Sequence, residues 1–193
     1  RVLIGVRASD AAAALQAVAA PLADSIGFDS ADVLYRALLA REMAHTTALD
    51  CGVAAPHATV EGVPEPVVMI ATAAAPIGFG PAADEPVRLL FVLLSPPAQA
   101  GLHIRLLARI ARVVRRPGLV NQLADSTTPA ELLAHLADAE PQLIKDATLP
   151  WSVEFPITEA TAIGNVTAQG DTDSIGCRII VGDDVKDEKV RYG

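Results

Sequence analysis

Three side chains that could transfer a proton, bind a metal ion or carry a phosphoryl group are spaced along this chain. The run GVAAPH at residues 52–57 passes through a small-residue loop and ends in His57, directly after a proline. Arg41 lies in the last turn of a predicted helix, and His103 lies near the start of another. Imidazole exchanges groups near neutral pH, while an arginine and a second imidazole N–H stabilise phosphoryl oxygens. Two histidines and an arginine make a poor hydrolytic metal site, so the pattern favours phosphoryl chemistry.

The elements that must position these residues alternate between strand and helix patterns. Continuous apolar runs bounded by prolines and glycines predict strands buried on both faces of a sheet. N-cap residues followed by apolar residues three and four apart predict helices. Strands are predicted at 2–6, 67–73 and 87–94, helices at 11–23, 31–43, 99–116 and 129–137, and a shorter segment at 119–123. His57 falls in a segment, 46–63, that is predicted to be a loop or weakly extended. This order predicts an α/β domain in which helices cover a sheet.

Composition and charge restrict the class of protein. The chain has 193 residues, of which 51% are hydrophobic and 20% charged, as in a globular protein. No apolar run approaches the roughly 20 residues that cross a bilayer, and no signal peptide is evident. The net charge of −8 argues against nucleic-acid binding, which needs a basic surface. We therefore expect a cytoplasmic protein without membrane insertion, with Cys51 and Cys177 as reduced thiols.

The C-terminal part of the chain differs in composition from the rest. Residues 138–193 hold 11 acidic and 5 basic side chains and all of the lysines, whereas residues 1–137 hold 12 acidic and 10 basic. After Pro150, β-type segments are predicted at 151–155, 162–167 and 175–181. The change predicts a domain over residues 1–140 and a β-type C-terminal extension of unknown role over residues 141–193.

Several motifs in register resemble one protein family. Arg41-Glu42 and Thr46-Thr47 precede the GVAAPH run without a gap, and PVRLLFVLL at 86–94 and HIRLLA at 103–108 follow it. Residues 1–140 thereby resemble the enzyme IIA domain of the phosphoenolpyruvate-dependent phosphotransferase system, in its fructose/mannitol/nitrogen-regulatory (type 2) class. The resemblance implies an α/β fold in which a mixed central β-sheet is covered by helices, in three layers.

The resemblance also implies a protein-histidine phosphotransferase component that needs neither a metal nor an organic cofactor. His57 corresponds to the phosphorylated histidine, His103 to the histidine that supports the phosphoryl site, Arg41 to a nearby arginine and Thr47 to a position close to the site. The implied donor is the phosphohistidine of an HPr-type carrier protein. The implied acceptor is a cysteine of an enzyme IIB domain or, in regulatory members, a regulatory target.

The chain departs from the family at several positions. Ala48, Asp50 and Ala55 replace residues common in the family, which would alter the conformation of the loop and the choice of partner. The extension lacks the Cys-x-x-Gly loop of a fused enzyme IIB domain, because Cys177 is followed by Arg-Ile-Ile-Val. A non-catalytic regulatory module that binds a transporter or regulator through the same cleft is therefore the alternative hypothesis, and a histidine metal site is a third.

Other residues carry less specific interpretations. Arg41 could instead pair with Glu42 or with the C-terminal end of its helix dipole. The arginines at 105, 109, 112 and 116 form a stripe that is either a solvated helix face or a dock for the acidic tail or an acidic partner. His45 and His135 are predicted to face solvent, and Cys51 is predicted to be a buried thiol. A homodimer is left open.

Overall fold

The structure is a computed structural model that describes residues 1–49, 51–80, 85–138, 174–181 and 184–192. The departure at Asp50 and the predicted β-type segments at 151–155 and 162–167 lie outside the described residues. The α-helices are α1 (Ala11–Ile26), α2 (Ala31–Ala44), α3 (Ala100–Val114), α4 (Leu119–Asp125) and α5 (Pro129–Asp138). The strands are β1 (Val2–Val6), β2 (Ala48–Leu49), β3 (Val53–Ala54), β4 (His57–Thr59), β5 (Val67–Ile77), β6 (Val87–Ser95), β7 (Ser174–Val181) and β8 (Asp184–Tyr192).

The first six strands form one mixed sheet. Its order is β1-β5-β6-β3-β2, and β4 pairs with β6 beyond the end of β3. β1 is parallel to β5, and both β3 and β4 are parallel to β6, whereas β5 and β6 pair antiparallel. Because β4 and β6 are parallel, their carboxyl ends lie at the same edge of the sheet. Residues that end or follow these two strands are therefore brought together.

Local signals in the sequence account for the helix ends. The Asp10 carboxylate accepts a hydrogen bond from the backbone N–H of Ala13 at the start of α1, and Ser30 caps α2 through Val33 N–H. Gly27 ends α1 in the left-handed region at φ 65°, a conformation that glycine adopts without a Cβ clash. The helix therefore ends at Ile26, three residues beyond the predicted end at Ala23. Pro21 lies inside it.

The sheet separates two layers of helices. Buried residues of α1 and α2, such as Leu15 and Leu34, form one core with Leu90 and Leu94 of β6. Alternate residues of the same strand face the other way, and Leu89 and Phe91 pack with Ile110 of α3, Leu123 of α4 and Leu132 of α5. Side chains that alternate between two buried faces explain why β6 is apolar throughout. The predicted three-layer α/β fold with a mixed sheet is confirmed.

The segment around His57 that was predicted to be a loop or weakly extended contributes to the sheet. It holds the short strands β2, β3 and β4, whose positions the prediction for 46–63 did not give. The prediction also ended β5 at Ala73, although the strand continues to Ile77 after an irregularity in its pairing with β6. Strands of two or three residues are stabilised by their neighbours in the sheet and leave no readable alternation in the sequence.

The C-terminal residues form a separate element. Contacts within the chain divide it into two units, Arg1–Lys145 and Asp146–Gly193. In the second unit, β7 pairs antiparallel with β8, and β7 contains the strand predicted at 175–181. Among the described residues, no helix is long and apolar enough to span a membrane.

Candidate functional site

The three side chains singled out for phosphoryl chemistry line one open cleft. Its volume is 330 Å³, and its lining residues are Ala37, Arg41, His57, Ala58, Thr59 and His103. They come from α2, β4 and α3, elements that are far apart in sequence. The parallel pairing of β4 with β6 places His57 opposite Leu93, near the end of β6, and His103 follows that end after a short 3₁₀ turn at Pro97–Gln99.

The ring of His57 is held in one tautomer by its partners. Its Nδ1 lies 2.9 Å from the backbone carbonyl oxygen of Ala55. A carbonyl oxygen only accepts, so Nδ1 carries the proton and donates it, and in the neutral ring Nε2 keeps its lone pair. The Nε–H of Arg41 donates to that Nε2 at 3.1 Å. The half-buried His57 therefore presents a deprotonated Nε2 to the cleft.

Arg41 is fixed at both ends of its guanidinium. It lies in the last turn of α2, where its Nη1 donates to the carbonyl oxygen of His45, the C-cap residue, at 2.8 Å. This contact places a cation at the negative end of the helix dipole. The pairing with Glu42 that the sequence left open is not how Arg41 is held, since its guanidinium contacts His57 and His45.

His103 lies beside His57 with a partner of its own. The two ring centroids are 5.4 Å apart, and the ring planes are tilted by 60°. Nδ1 of His103 lies 2.5 Å from the hydroxyl oxygen of Ser95, the fully buried last residue of β6. Burial, and to a smaller extent the neighbouring His57, lowers the pKa of His103 below its usual 6.5. His103 is therefore neutral near pH 7.

Thr47 is buried and is not among the residues that line the cleft. Its hydroxyl and its backbone N–H both donate to the carboxylate of Glu42, and the Thr46 hydroxyl donates to the same carboxylate at 2.9 Å. The carbonyl oxygen of Thr47 accepts from Ala55 N–H at 2.9 Å. A chain of contacts thus runs from Glu42 through Thr47 and Ala55 to the Nδ1 of His57. The implied role of Thr47 close to the phosphoryl site stays a prediction.

The turn before His57 depends on backbone conformations that few residues adopt. Gly52 has φ 72°, and a Cβ on it would lie 3.3 Å from the carbonyl oxygen of Pro86. Gly52 also accepts a hydrogen bond from Arg88 N–H at 2.8 Å through its own carbonyl oxygen. Cys51 has φ 70° and is exposed, so the prediction of a buried thiol was wrong. The exposed Cys51 donates its thiol to the carbonyl oxygen of Val114, the last residue of α3, at 3.9 Å.

Two contacts of this arrangement, those of Ser95 and of Glu42, were not predicted from the sequence. Ser95 stands as a polar residue at the end of an apolar run, directly before Pro96, which is the one signal that could have drawn attention to it. Glu42 belongs to the motif, but it can hold Thr46 and Thr47 only because the chain turns back toward the Glu42 side chain after α2 ends. Neither contact can be inferred from spacing alone.

The other residues considered in the sequence lie apart from the lining of this cleft. His45 is exposed and His135 is half-buried. Arg105, Arg109 and Arg112 on α3 are exposed, whereas Arg116, which follows the end of α3, is half-buried. In the part of the chain that the structure describes, no three His, Cys, Asp or Glu side chains are grouped to hold a metal ion.

The fold and the cleft define an α/β domain with two neighbouring histidines at one edge of a mixed sheet. The family profile described as "Phosphoenolpyruvate-dependent sugar phosphotransferase system, EIIA 2" matches residues 1–139. The chain belongs to this family, as the motifs around His57 predicted.

Known relatives and structures agree with this assignment. The nitrogen regulatory protein of Pseudomonas aeruginosa is 29% identical over 140 residues, which cover 72% of this chain and 91% of that protein. The crystal structure of the nitrogen regulatory protein IIA-Ntr from Neisseria meningitidis superimposes with a TM-score of 0.63 at 26% identity, over 70% of this chain and 91% of that one. A complex of enzyme IIA for mannitol with phosphorylated enzyme IIB from Escherichia coli has a TM-score of 0.60 at 23% identity, over 71% and 94%.

The C-terminal part is similar to a different group of proteins. A second profile, "Mycobacterium membrane protein", matches residues 123–193. The "Probable transport accessory protein MmpS4" of Mycobacterium leprae is 51% identical over 63 residues, which are 33% of this chain. The chain spans about two fifths of the length of that relative, 41%. The extension, which no motif in the sequence identified, thus has relatives of its own.

Proposed function

We propose that this protein is a phosphocarrier that accepts a phosphoryl group on Nε2 of His57 from the phosphohistidine of an HPr-type carrier. The observation that carries the proposal is the tautomer of His57. Donation from Nδ1 to the Ala55 carbonyl leaves Nε2 with its lone pair, and that nitrogen faces the cleft beside Arg41. A histidine nucleophile requires this state.

The transfer exchanges one nitrogen–phosphorus bond for another. The lone pair of His57 Nε2 forms the new bond in line with the bond that breaks, and the leaving imidazole nitrogen of the donor keeps the electron pair. The phosphoryl group carries negative charge on its three oxygens throughout the transfer. Both bonds are of the same kind, so the residues of the cleft need only position the group and offset its charge.

Arg41 and His103 are the groups that would offset this charge. When the phosphoryl group arrives, the Arg41 guanidinium moves its Nε–H from His57 Nε2 to a phosphoryl oxygen, while its Nη1 stays on the His45 carbonyl. His103 lies with its ring centroid 5.4 Å from that of His57 and contributes an N–H donor. Thr47 acts through Glu42 and Ala55, by holding the backbone that orients His57.

The acceptor is proposed to be a cysteine of an enzyme IIB domain. The similar mannitol protein is described in complex with phosphorylated enzyme IIB. A cysteine thiolate would attack the phosphorus, form a sulfur–phosphorus bond and return the electron pair to Nε2 of His57. We propose that residues 1–140 do so in the cytoplasm, where a carrier protein of this type would meet them.

Phosphorylation in vitro tests the proposal. The full chain is incubated with phosphoenolpyruvate, enzyme I and HPr, and its intact mass is measured. We expect one added phosphoryl group on the wild type and on His45→Ala, whose imidazole is exposed, and none on His57→Ala. Phosphorus NMR of the product should show Nε2 phosphohistidine. An unmodified wild type, or label that persists in His57→Ala, contradicts the proposal.

A regulatory role is the second candidate function. It is favoured by the similarity of residues 123–193 to proteins named for transport accessory roles. In this case the phosphoryl group on His57 is a signal to a transporter or regulator and is not passed on. The two roles are distinguished by the rate at which the phosphorylated chain loses its phosphoryl group to enzyme IIB partners that are encoded near its gene. Rapid loss of the group to a IIB cysteine supports the carrier role, and a phosphoryl group that stays on His57 supports the signal.

We also propose that the chain consists of two parts, 1–140 and 141–193. The family match that ends at residue 139 and the contact boundary after Lys145 support a division in this region. Limited proteolysis followed by mass spectrometry should yield a stable fragment that ends between about residues 138 and 150. Native mass spectrometry of the full chain tests the homodimer in the same preparation.

A further inference from the structure

The buried hydroxyl of Ser95 is the least expected contact around the cleft. Ser95 has no exposed surface, and its backbone carbonyl oxygen is occupied by Val60 N–H at 3.0 Å. In the described part of the chain, the hydroxyl has one hydrogen-bond partner, Nδ1 of His103 at 2.5 Å. A buried hydroxyl proton needs an acceptor, and the lone pair of His103 Nδ1 is the acceptor that the contact provides.

We propose that Ser95 is a positioning residue that donates its hydroxyl proton to Nδ1 of His103 and thereby holds His103 as the Nε2–H tautomer. The second imidazole nitrogen then offers an N–H to the phosphoryl oxygens on His57. The tautomer of His103 is inferred from the Ser95–His103 contact. Its effect on phosphoryl transfer rests on the proposed phosphocarrier function.

The opposite direction of this hydrogen bond is disfavoured by the surroundings. If Nδ1–H of His103 donated to Ser95, either the ring would be a cation or its Nε2 would lack a proton. The first is opposed by burial, which lowers the pKa of His103. The second would aim a lone pair at an anionic phosphoryl group and would leave the buried hydroxyl proton of Ser95 without an acceptor.

Nitrogen NMR of the unphosphorylated full chain tests the tautomer directly. Two-bond ¹⁵N–¹H correlations at pH 7.5 distinguish a protonated from an unprotonated ring nitrogen for each histidine. We expect His103 to be protonated at Nε2 and unprotonated at Nδ1. A wild-type His103 that is protonated at Nδ1 overturns the proposal, whatever the phosphorylation assay shows.

Variants of Ser95 then separate positioning from packing. In Ser95→Ala we expect His103 to become a mixture of tautomers and the rate constant of phosphorylation by phospho-HPr to fall about 3- to 10-fold, the effect of one lost hydrogen bond. The KM for the donor should not change, because Ser95 is buried. Ser95→Thr, which keeps the hydroxyl, should restore both the tautomer and the rate to within about 2-fold of wild type.

Matched controls make each outcome decisive. Ser126 is also buried, and its hydroxyl donates to the Gln122 carbonyl on α4, so Ser126→Ala removes a similar group without touching His103. It should leave tautomer and rate unchanged. A Ser95→Ala protein that keeps a pure Nε2–H tautomer and the wild-type rate overturns the proposal. If Ser95→Ala does not fold, Ser95→Cys, with a weaker donor of similar size, takes its place with the same criteria.

The two proposals fail in distinguishable ways. A wild-type chain that phospho-HPr does not phosphorylate contradicts the phosphocarrier function, while the NMR tautomer of His103 still decides the role of Ser95. A phosphorylated wild type with the wrong His103 tautomer leaves the phosphocarrier function intact and removes Ser95 from the mechanism.

Discussion

Removal of the Arg41 guanidinium tests the proposed phosphoryl site most sharply, because it would affect the proposed nucleophile and the transferred group in opposite directions. Before transfer, Arg41 Nε–H occupies the lone pair of His57 Nε2 at 3.1 Å. Arg41→Ala frees this lone pair, which favours attack. The same substitution removes the cation that would face the phosphoryl oxygens, which disfavours the transition state.

The two effects differ in size. A hydrogen bond from a cation to a neutral acceptor contributes about 1.5 kcal/mol, the lower end of the range for charged groups. A guanidinium about 4 Å from a unit negative charge gains about 4 kcal/mol at an effective dielectric constant of about 20, the value suited to a half-buried site. The difference, about 2.5 kcal/mol, predicts that Arg41→Ala lowers the rate constant of phosphorylation on the order of 50- to 100-fold.

Rapid-quench measurement of a single turnover with phospho-HPr gives this rate constant. Arg41→Lys should fall between Ala and wild type, because an ammonium group keeps the charge but cannot hold both His57 and the His45 carbonyl. Arg36→Ala is the matched control, since Arg36 lies on the same helix in an exposed pair with Asp32. An Arg41→Ala rate within about 3-fold of wild type would refute the assigned role of the cation.

Three further predictions concern the support of the site. Glu42→Gln should lower the free energy of unfolding by about 1–3 kcal/mol in urea titrations, because one amide oxygen replaces a carboxylate that accepts from Thr46 and Thr47. Gly52→Ala should destabilise by about 1–2 kcal/mol on account of φ 72° and the contact with Pro86, whereas Gly101→Ala in α3, with open space around it, should stabilise by about 0.5–1 kcal/mol. Because the pKa of His103 is lowered in the folded state, the unfolded chain binds a proton first as the pH falls below 6.5, so stability is fully present above that pH and declines below it. Thermal unfolding between pH 7.5 and 5 should show this decline, and a His103→Gln variant should show less of it.

The helices and strands that could be predicted from the sequence are those determined by residues close to one another in the chain. The apolar run of β6 was predicted at 87–94 and observed at Val87–Ser95, because a strand buried on both faces needs no polar residue along its length. The start of α1 followed from Asp10 as N-cap. The end of the same helix did not, because it depends on Gly27 adopting a left-handed conformation, which many glycines do not.

The candidate site divides in the same way. His57, Arg41 and His103 were predicted from motifs in register, and the structure brings all three to one cleft. The contacts that orient them were not predicted, because they join residues through the tertiary fold. Ser95 meets His103 only because the chain turns after β6, and Glu42 meets Thr47 only because the chain returns after α2. Exposure of Cys51 likewise follows from the conformation of its turn rather than from its residue type.

Two identical side chains are given different chemistry in this cleft by what faces their Nδ1 atoms. A backbone carbonyl can only accept, so the Ala55 oxygen fixes a proton on Nδ1 of His57 and leaves Nε2 with the lone pair that the proposed phosphoryl transfer requires. A hydroxyl can donate, so under our proposal Ser95 fills the lone pair of His103 Nδ1 and leaves Nε2 as an N–H donor. If the two tautomers were exchanged, Nε2 of His57 would carry a proton and could not attack the phosphorus. Nε2 of His103 would then direct a lone pair at the negatively charged phosphoryl oxygens. The assignment of roles therefore depends on one oxygen atom behind each ring, and a substitution at Ser95 should impair transfer although His57 and His103 are both present.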